Sequence, residues 1–194
     1  MFSMSRVIVV ALALLGAGCA HQINITPPLN TLETKDVVKI DKTVGYYISS
    51  ANSSKVVETP GGGGDKVKYL PYLESEPALK QVLSNVFAKV VALPALDDKQ
   101  FIASNNVAFV FVPKIETTSS SDSGLTWPPT SFTLTLECKA VNASGAPVWQ
   151  TTVKGQGTAE FSEFKHDFSL AARRASKDAF LRLQQELVAA KELR

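Results

Sequence analysis

Two histidines and two cysteines are the side chains of this 194-residue chain best suited to nucleophilic or metal chemistry. His21 lies in a polar stretch near the start, and His166 is followed directly by Asp167. A hydrolase using His166 would need a distant serine, because adjacent residues in a turn cannot form a triad and no Gly-x-Ser-x-Gly sequence occurs. We therefore predict no catalytic residue, and an enzyme centred on His166 is the minor alternative.

Metal and phosphate sites have equally little support in the sequence. A zinc site needs three or four clustered ligands, whereas the carboxylates of this chain are scattered. Asp97 and Asp98 could chelate a cation, but a solvated turn is the more common use of such a pair. The four glycines at 61–64 precede Asp65 and Lys66, not the Lys-Ser/Thr of a phosphate-binding loop, and they predict a flexible connector. We expect no metal and no cofactor.

Cys19 stands in a different setting from the other reactive side chains, because it ends a segment with signal-peptide anatomy. Residues 1–6 carry one positive charge, residues 7–15 are uninterrupted apolar residues, and three small residues precede the cysteine. The apolar run is shorter than the roughly 20 residues that cross a bilayer core of about 30 Å. Residues 1–18 are therefore predicted to be a cleaved signal peptide and not a transmembrane helix.

The sequence Leu15-Gly16-Ala17-Gly18-Cys19 resembles the lipobox of bacterial lipoproteins. This resemblance implies that a diacylglyceryl group is attached to the Cys19 thiol before the signal peptidase cuts on its N-terminal side. Ordinary secretory cleavage nearby is the alternative. Two or more acyl chains, at about 0.8 kcal/mol per buried methylene, would hold a domain on a membrane almost permanently. By the same resemblance, Ala20 after the lipidated cysteine favours the periplasmic face of the outer membrane over the inner membrane.

The charge balance argues against a nucleic-acid partner. The formal net charge is +2, and removing residues 1–18 takes away only Arg6, so the remaining chain is nearly neutral. A nucleic-acid-binding domain would need a basic patch. The 45% hydrophobic content allows a buried core, and the length favours one domain. With Cys19 lipidated, Cys138 has no disulfide partner and is expected to be a small buried hydrophobe.

The polar N-terminal stretch separates the predicted anchor from the predicted domain. Residues 19–35 contain two adjacent prolines and predict a lipidated N-terminus with a flexible tether, followed by a single periplasmic domain over residues 36–194. In that domain, residues 37–48 favour a strand. Apolar spacing from Ser75, a candidate helix cap, predicts a helix ending at Pro94. Residues 50–74 leave strand and ordered loop both open.

The second half of the chain has clearer patterns. The apolar run 107–112 predicts a strand that is covered on both faces or central in its sheet. Alternation over residues 132–140 predicts a half-buried strand, and residues 148–157 should return antiparallel after a turn at 142–145. Helical spacing over residues 167–193 predicts a closing helix. The expected fold is α+β, with two helices packed on one face of a four-stranded, largely antiparallel sheet in the order strand-helix-strand-strand-strand-helix.

Large apolar side chains in segments rich in Pro, Gly and Ser are candidate contact residues, because they are costly when exposed and aromatic residues often anchor interfaces. They are Tyr69, Tyr72, Leu125 and Trp127. The alternative is that these side chains plug the ends of the domain. The closing helix is basic and could meet anionic lipid, but its interleaved acids favour a solvated face.

The predicted layout resembles the small lipoproteins of Gram-negative envelopes, particularly the YajG-like group and more distantly the lipopolysaccharide-assembly lipoprotein class. The lipobox, the helix at 75–93, the hairpin at 132–157 and the closing helix carry this resemblance. It implies a lipoprotein of similar layout, and no catalytic residues come with it.

We therefore expect a membrane-anchored, non-enzymatic binding or assembly module of the bacterial cell envelope. Its partners would be the membrane, through the lipid on Cys19, and an envelope protein or envelope polymer. The alternative is a lipid or lipopolysaccharide carrier, or an accessory subunit of an envelope transport machine. In the carrier hypothesis, the strand at 107–112 and the Trp127 segment would line an apolar groove between helices and sheet.

Overall fold

The computed structural model describes residues 20–33 and 38–194. Cys19 and the predicted signal peptide therefore lie outside the described residues. The strands are β1 (Ala20–Gln22), β2 (Ile40–Tyr46), β3 (Val57–Pro60), β4 (Lys66–Tyr69), β5 (Phe87–Ala92), β6 (Val107–Ser120), β7 (Ser131–Asn142) and β8 (Pro147–Thr158). The α-helices are α1 (Ser50–Ser53), α2 (Pro71–Val86), α3 (Lys99–Ser104), α4 (Phe161–Phe164) and α5 (Leu170–Ala189), and short 3-10 helices span Leu29–Leu32 and Lys191–Leu193.

The strands form two sheets, so the α+β class is confirmed but the single four-stranded sheet with two helices is wrong. The larger sheet has the order β5-β2-β6-β7-β8 and the smaller one the order β1-β4-β3. β2 runs parallel to both β5 and β6. Parallel strands need a crossover connection, and α2 lies in the connection from β2 to β5, while α3 lies in the connection from β5 to β6. The antiparallel part is β6-β7-β8, which includes the predicted hairpin.

The main core lies between the five-stranded sheet and the two long helices. The alternation in β7 is confirmed, since Phe132, Leu134, Leu136, Cys138 and Ala140 are all buried in this core. The run at 107–112 is confirmed as a central strand covered on both faces. Phe109 and Phe111 belong to the main core, whereas Val107 and Val110 pack with Ile102 of α3 in a second cluster.

The first long helix is shorter and begins earlier than its apolar spacing predicts. α2 starts at Pro71, so Ser75 is a buried residue inside the helix and not its cap. The helix ends at Val86, and β5 follows at once. β5 pairs with β2 in parallel register, which favours the β conformation for its β-branched residues. Pairing across the sheet thus overrides the helical pattern at Val90.

The prediction of a flexible tether is wrong for residues 20–33. β1 pairs with β4 in the smaller sheet, and the backbone N–H of Ile23 donates to the carbonyl of Lys68 at 3.1 Å. Ile25 and Leu32 are fully buried in the main core. The two prolines therefore lie in a segment that packs onto the domain, because its isolated apolar side chains have a core to enter.

The smaller sheet also resolves the ambiguous stretch. Residues 50–74 contain α1, the β3-β4 hairpin and the first turn of α2. Over residues 20–33 and 38–194, no helix has both the length and the apolarity to cross a membrane.

Candidate functional site

Two of the four predicted contact residues are buried and cannot form a docking surface. Tyr69 is fully buried, and its hydroxyl donates to Thr117 Oγ1 at 2.6 Å. Burial raises the pKa of this phenol. Tyr72 is only 5% exposed and accepts a hydrogen bond from the backbone N–H of Ile115 at 3.2 Å. These two tyrosines are therefore core side chains that fill the interior of the domain, which was the alternative interpretation.

The other two predicted residues, Leu125 and Trp127, line a surface pocket of about 540 Å³. Their loop, residues 121–130, follows the end of β6 and is fastened by the turn of the β3-β4 hairpin. The backbone N–H of Gly62 donates to the carbonyl of Trp127 at 2.8 Å, and that of Gly63 donates to the carbonyl of Ser123 at 3.1 Å. The loop therefore has a defined position at this end of the molecule.

These contacts correct the prediction that the four glycines are a flexible connector. A Cβ atom at Gly62 would collide with the backbone oxygen of Thr126, so only glycine allows the two loops to approach this closely. Gly63 and Gly64 have φ angles of +64° and +86°, which close the hairpin turn. The glycines therefore position the pocket.

Beside the pocket, a cluster of three aromatic rings joins distant parts of the chain. The imidazole of His21 in β1 stacks on the indole of Trp127, with ring centroids 4.2 Å apart and an interplanar angle of 14°. The ring of Phe168 also contacts the indole of Trp127, with centroids 5.0 Å apart and an interplanar angle of 60°. His21 Nε2 is 3.1 Å from Asp65 Oδ2, so the histidine also links β1 to the hairpin turn.

One wall of the pocket comes from α4 and the segment that follows it. Phe164 is buried, and its ring meets that of Phe161 edge to face at a centroid distance of 5.6 Å. Lys165 and Phe168 complete this side of the pocket. Several of these apolar side chains remain open to water, since Leu125 is 98% exposed, Phe161 63% and Phe168 48%. We call Leu125, Trp127, Phe161 and Phe168 the apolar rim.

A charged pair holds the α4 wall against α5. Arg174 donates through Nη2 to Glu163 Oε1 at 2.7 Å and through Nη1 to Glu163 Oε2 at 3.1 Å. These hydrogen bonds, with one from the backbone N–H of Glu160, lower the pKa of Glu163 to about 2. Glu163 therefore remains ionised at any physiological pH and acts as a clamp between α4 and α5.

Phe161, Phe168, His21 and Asp65 are not among the predicted contact residues. Phe161 stands in a polar stretch outside the helical apolar spacing, which was a signal for it, whereas Phe168 fits the apolar spacing of the predicted closing helix, which begins only at Leu170. No local pattern could have paired His21 with Asp65, which are 44 residues apart.

The remaining candidate chemical groups have structural roles or exposed positions. His166 is exposed between α4 and α5. The side chain of Asp98 accepts from the backbone N–H of Phe101 at 2.9 Å and caps α3, as expected of a turn residue. Across the described ranges, no group of three or more His, Cys, Asp or Glu side chains is placed to hold a metal ion. The pocket thus offers apolar and stacking contacts, with Asp65 and Lys165 as its charged groups.

No protein-family model matches the chain, and no curated protein matches it. The fold is similar to that of several solved structures. A Xanthomonas campestris protein of family DUF330 has a TM-score of 0.44 at 14% identity, covering 87% of this chain and 90% of that one. A minor lipoprotein from Acinetobacter baumannii has a TM-score of 0.44 at 12% identity, covering 76% and 93%. The PelC dodecamer of Paraburkholderia phytofirmans has a TM-score of 0.39 at 18% identity, covering 76% and 94%.

The structural neighbours thus include a lipoprotein of a Gram-negative bacterium. At these identities and TM-scores, the similarity assigns neither a family nor a function to this chain. Membership of the YajG-like group stays a prediction.

Proposed function

We propose that this chain is a lipid-anchored, non-enzymatic binding or assembly module of the bacterial cell envelope, and that its binding site is the pocket bounded by the apolar rim. Cys19 carries the lipid, and the outer membrane is the favoured location. The proposal depends chiefly on one observation. The apolar rim lies beside β1, which begins at Ala20, the residue bonded to the predicted lipidation site.

The carrier hypothesis receives less support from the geometry. It requires the strand at 107–112 to line an open groove, but Phe111 is fully buried and Val110 is 1% exposed. The Trp127 loop does line a pocket, and that pocket lies beyond the end of the sheet. A site with exposed apolar side chains, aromatic rings and two charged groups suits docking of an envelope component.

The anchor is tested with the full chain expressed in a Gram-negative host. We expect intact-mass analysis to find a diacylglyceryl adduct at the mature N-terminus and fractionation to recover the protein with membranes. The Cys19→Ala variant should lose the adduct and leave the membrane fraction. An unmodified N-terminus on the wild-type chain would contradict the proposed anchor.

The binding site is tested by photo-crosslinking in intact cells. A photoreactive amino acid replaces Leu125 in the rim, and the control replaces Leu96, which is 40% exposed and lies against the turn between β7 and β8. We expect position 125 to capture an envelope component, whether protein, polymer or phospholipid, and position 96 to capture much less. Equal capture at the two positions would show that the pocket is not a binding site.

A further inference from the structure

The apolar rim is held close to the point at which the proposed lipid leaves the chain. His21 is stacked on Trp127 of the rim. Only Ala20 stands between His21 and Cys19 in the sequence. Because β1 is paired in a sheet, no long linker separates the proposed anchor from the domain.

The strands give the molecule two distinct ends. The rim elements follow the end of β6 and the end of β8, whereas the β7-β8 turn at residues 143–146 lies at the other end. β7 has 12 residues, and at about 3.3 Å per residue it separates these ends by about 35 Å. An anchor next to the rim therefore holds that end at the membrane and keeps the turn away from it.

The chemistry of the rim matches a lipid interface. Leu125 and Phe161 are more than half exposed, which is costly in water and favourable in the boundary between headgroups and acyl chains. Tryptophan is enriched at that boundary because its ring is apolar and its N–H is polar. Of the charged groups that line the pocket, Asp65 faces His21 and Lys165 is suited to an anionic headgroup.

We propose that the apolar rim is a membrane-contact surface, which seats in the headgroup region of the bilayer that carries the lipid on Cys19. The inference rests on the proposed function, because the anchor supplies the proximity. The occupant of the pocket is then the lipid surface itself, and the domain stands with its β7-β8 turn directed away from the membrane. Tethering makes this contact effectively intramolecular, so a few apolar side chains suffice.

The orientation is tested with the lipidated full chain in vesicles of phosphatidylethanolamine and phosphatidylglycerol. An environment-sensitive fluorophore is attached at Ser162→Cys, next to the rim, or at Ser144→Cys, in the distant turn; both serines are exposed. Cys138 does not compete for the label, since it is completely buried. At position 162 we expect the fluorophore emission to shift to the blue on membrane binding. We also expect lipid-borne nitroxide to quench the fluorophore several-fold more strongly at position 162 than at position 144.

A second variant separates the rim from the anchor. Leu125→Ser combined with Phe161→Ser alters only exposed side chains, so the domain should fold normally, and the lipid on Cys19 is untouched. We expect the vesicles to retain this variant while the quenching at position 162 falls several-fold.

Three outcomes would overturn the inference. They are equal weak quenching at the two positions in vesicle-bound protein, an unchanged signal in the double serine variant, and photo-crosslinks from position 125 to a protein or to a second copy of the chain in place of phospholipid. In each case, the proposed anchor would still be supported if the chain is lipidated and retained by the membrane. Loss of lipidation itself would instead contradict the proposed function.

Discussion

At the scale of single residues, Glu163 shows how a surface charge can hold a site wall in place. Its two carboxylate oxygens accept from both terminal nitrogens of Arg174, and it also closes a capping box with the backbone N–H of Glu160. Bidentate arginine–carboxylate pairs fix geometry as well as charge. The position of Phe161 in the rim therefore depends on α4 being clamped to α5.

We predict that Arg174→Gln raises the pKa of Glu163 from about 2 toward the usual value near 4.3. A lowered pKa in the folded state means that the pair stabilises the protein above the unfolded pKa and that this contribution is lost as the pH falls through about 2. A carboxyl titration followed by NMR measures the shift. Arg182→Gln is the control, because Arg182 pairs with Asp178 instead; an equal pKa change in the two variants would contradict the assignment.

At the scale of elements, α5 packs unusually close to β8 because both surfaces are made of small residues. Ala171, Ala175 and Ala179 form one stripe of the helix, and they lie over Gly155 and Gly157 of the strand. A Cβ atom at Gly155 would overlap the backbone of Ala175 and Ala179, which cannot rotate away. These glycines set the distance between helix and sheet.

We predict that Gly155→Ala lowers the free energy of unfolding by about 1–3 kcal/mol, because the added methyl group forces the helix off the strand. Chemical denaturation measures the effect. Gly124→Ala is the matched control, since nothing lies within 4 Å of a Cβ atom built there. If the two variants were equally stable, the close packing between α5 and β8 would be wrong.

The N-terminal segment is a second element whose role can be measured. Ile25 is fully buried, its N–H donates to Glu74 Oε2 at 2.8 Å, and Asn85 Nδ2 donates to the carbonyl of Leu32 at 2.8 Å. The segment is therefore tied to α2 by apolar and polar contacts.

We predict that Ile25→Ala costs about 2–5 kcal/mol of unfolding free energy, as expected for a large-to-small change in a core. Leu29→Ala, at a residue that is 36% exposed, should change stability by about 0.5 kcal/mol or less. The midpoints of denaturant-induced unfolding compare the stabilities of the two variants. A negligible effect of Ile25→Ala would restore the flexible tether.

At the scale of the whole molecule, the two ends of the domain differ in a way that its sequence does not display. The N-terminal strand, the glycine turn, the loop at 121–130 and α4 all meet at one end, and the β7-β8 turn marks the other. The proposed anchor and the apolar rim therefore act on the same face.

We predict that a flexible Gly-Ser linker inserted between Cys19 and Ala20 weakens membrane contact by the rim while leaving lipidation intact. The linker lowers the effective concentration of the rim at the bilayer. Quenching of a fluorophore at position 162 by lipid-borne nitroxide measures the loss. A rigid helical insertion of equal length is the comparison, and it should reduce the contact further because it holds the domain off the surface.

The sequence by itself determined the features that depend on local pattern. Alternation predicted β7, the apolar run predicted the central strand β6, and small and polar residues predicted the turn after Asn142, whose last position Gly145 has a φ of +85°. Half of the proposed contact set, Leu125 and Trp127, was likewise visible as large apolar residues in a polar loop.

Only the tertiary structure decided what depends on partners far away in the chain. In the folded structure, residues 87–92 form a strand that pairs with β2, the predicted tether packs into the core, and Tyr69 and Tyr72 are buried. The fold also brings His21, Asp65 and Trp127 into contact. The physical reason is that strand pairing and burial are settled by neighbours in space, so local composition cannot distinguish a solvated linker from one whose few apolar side chains find a core.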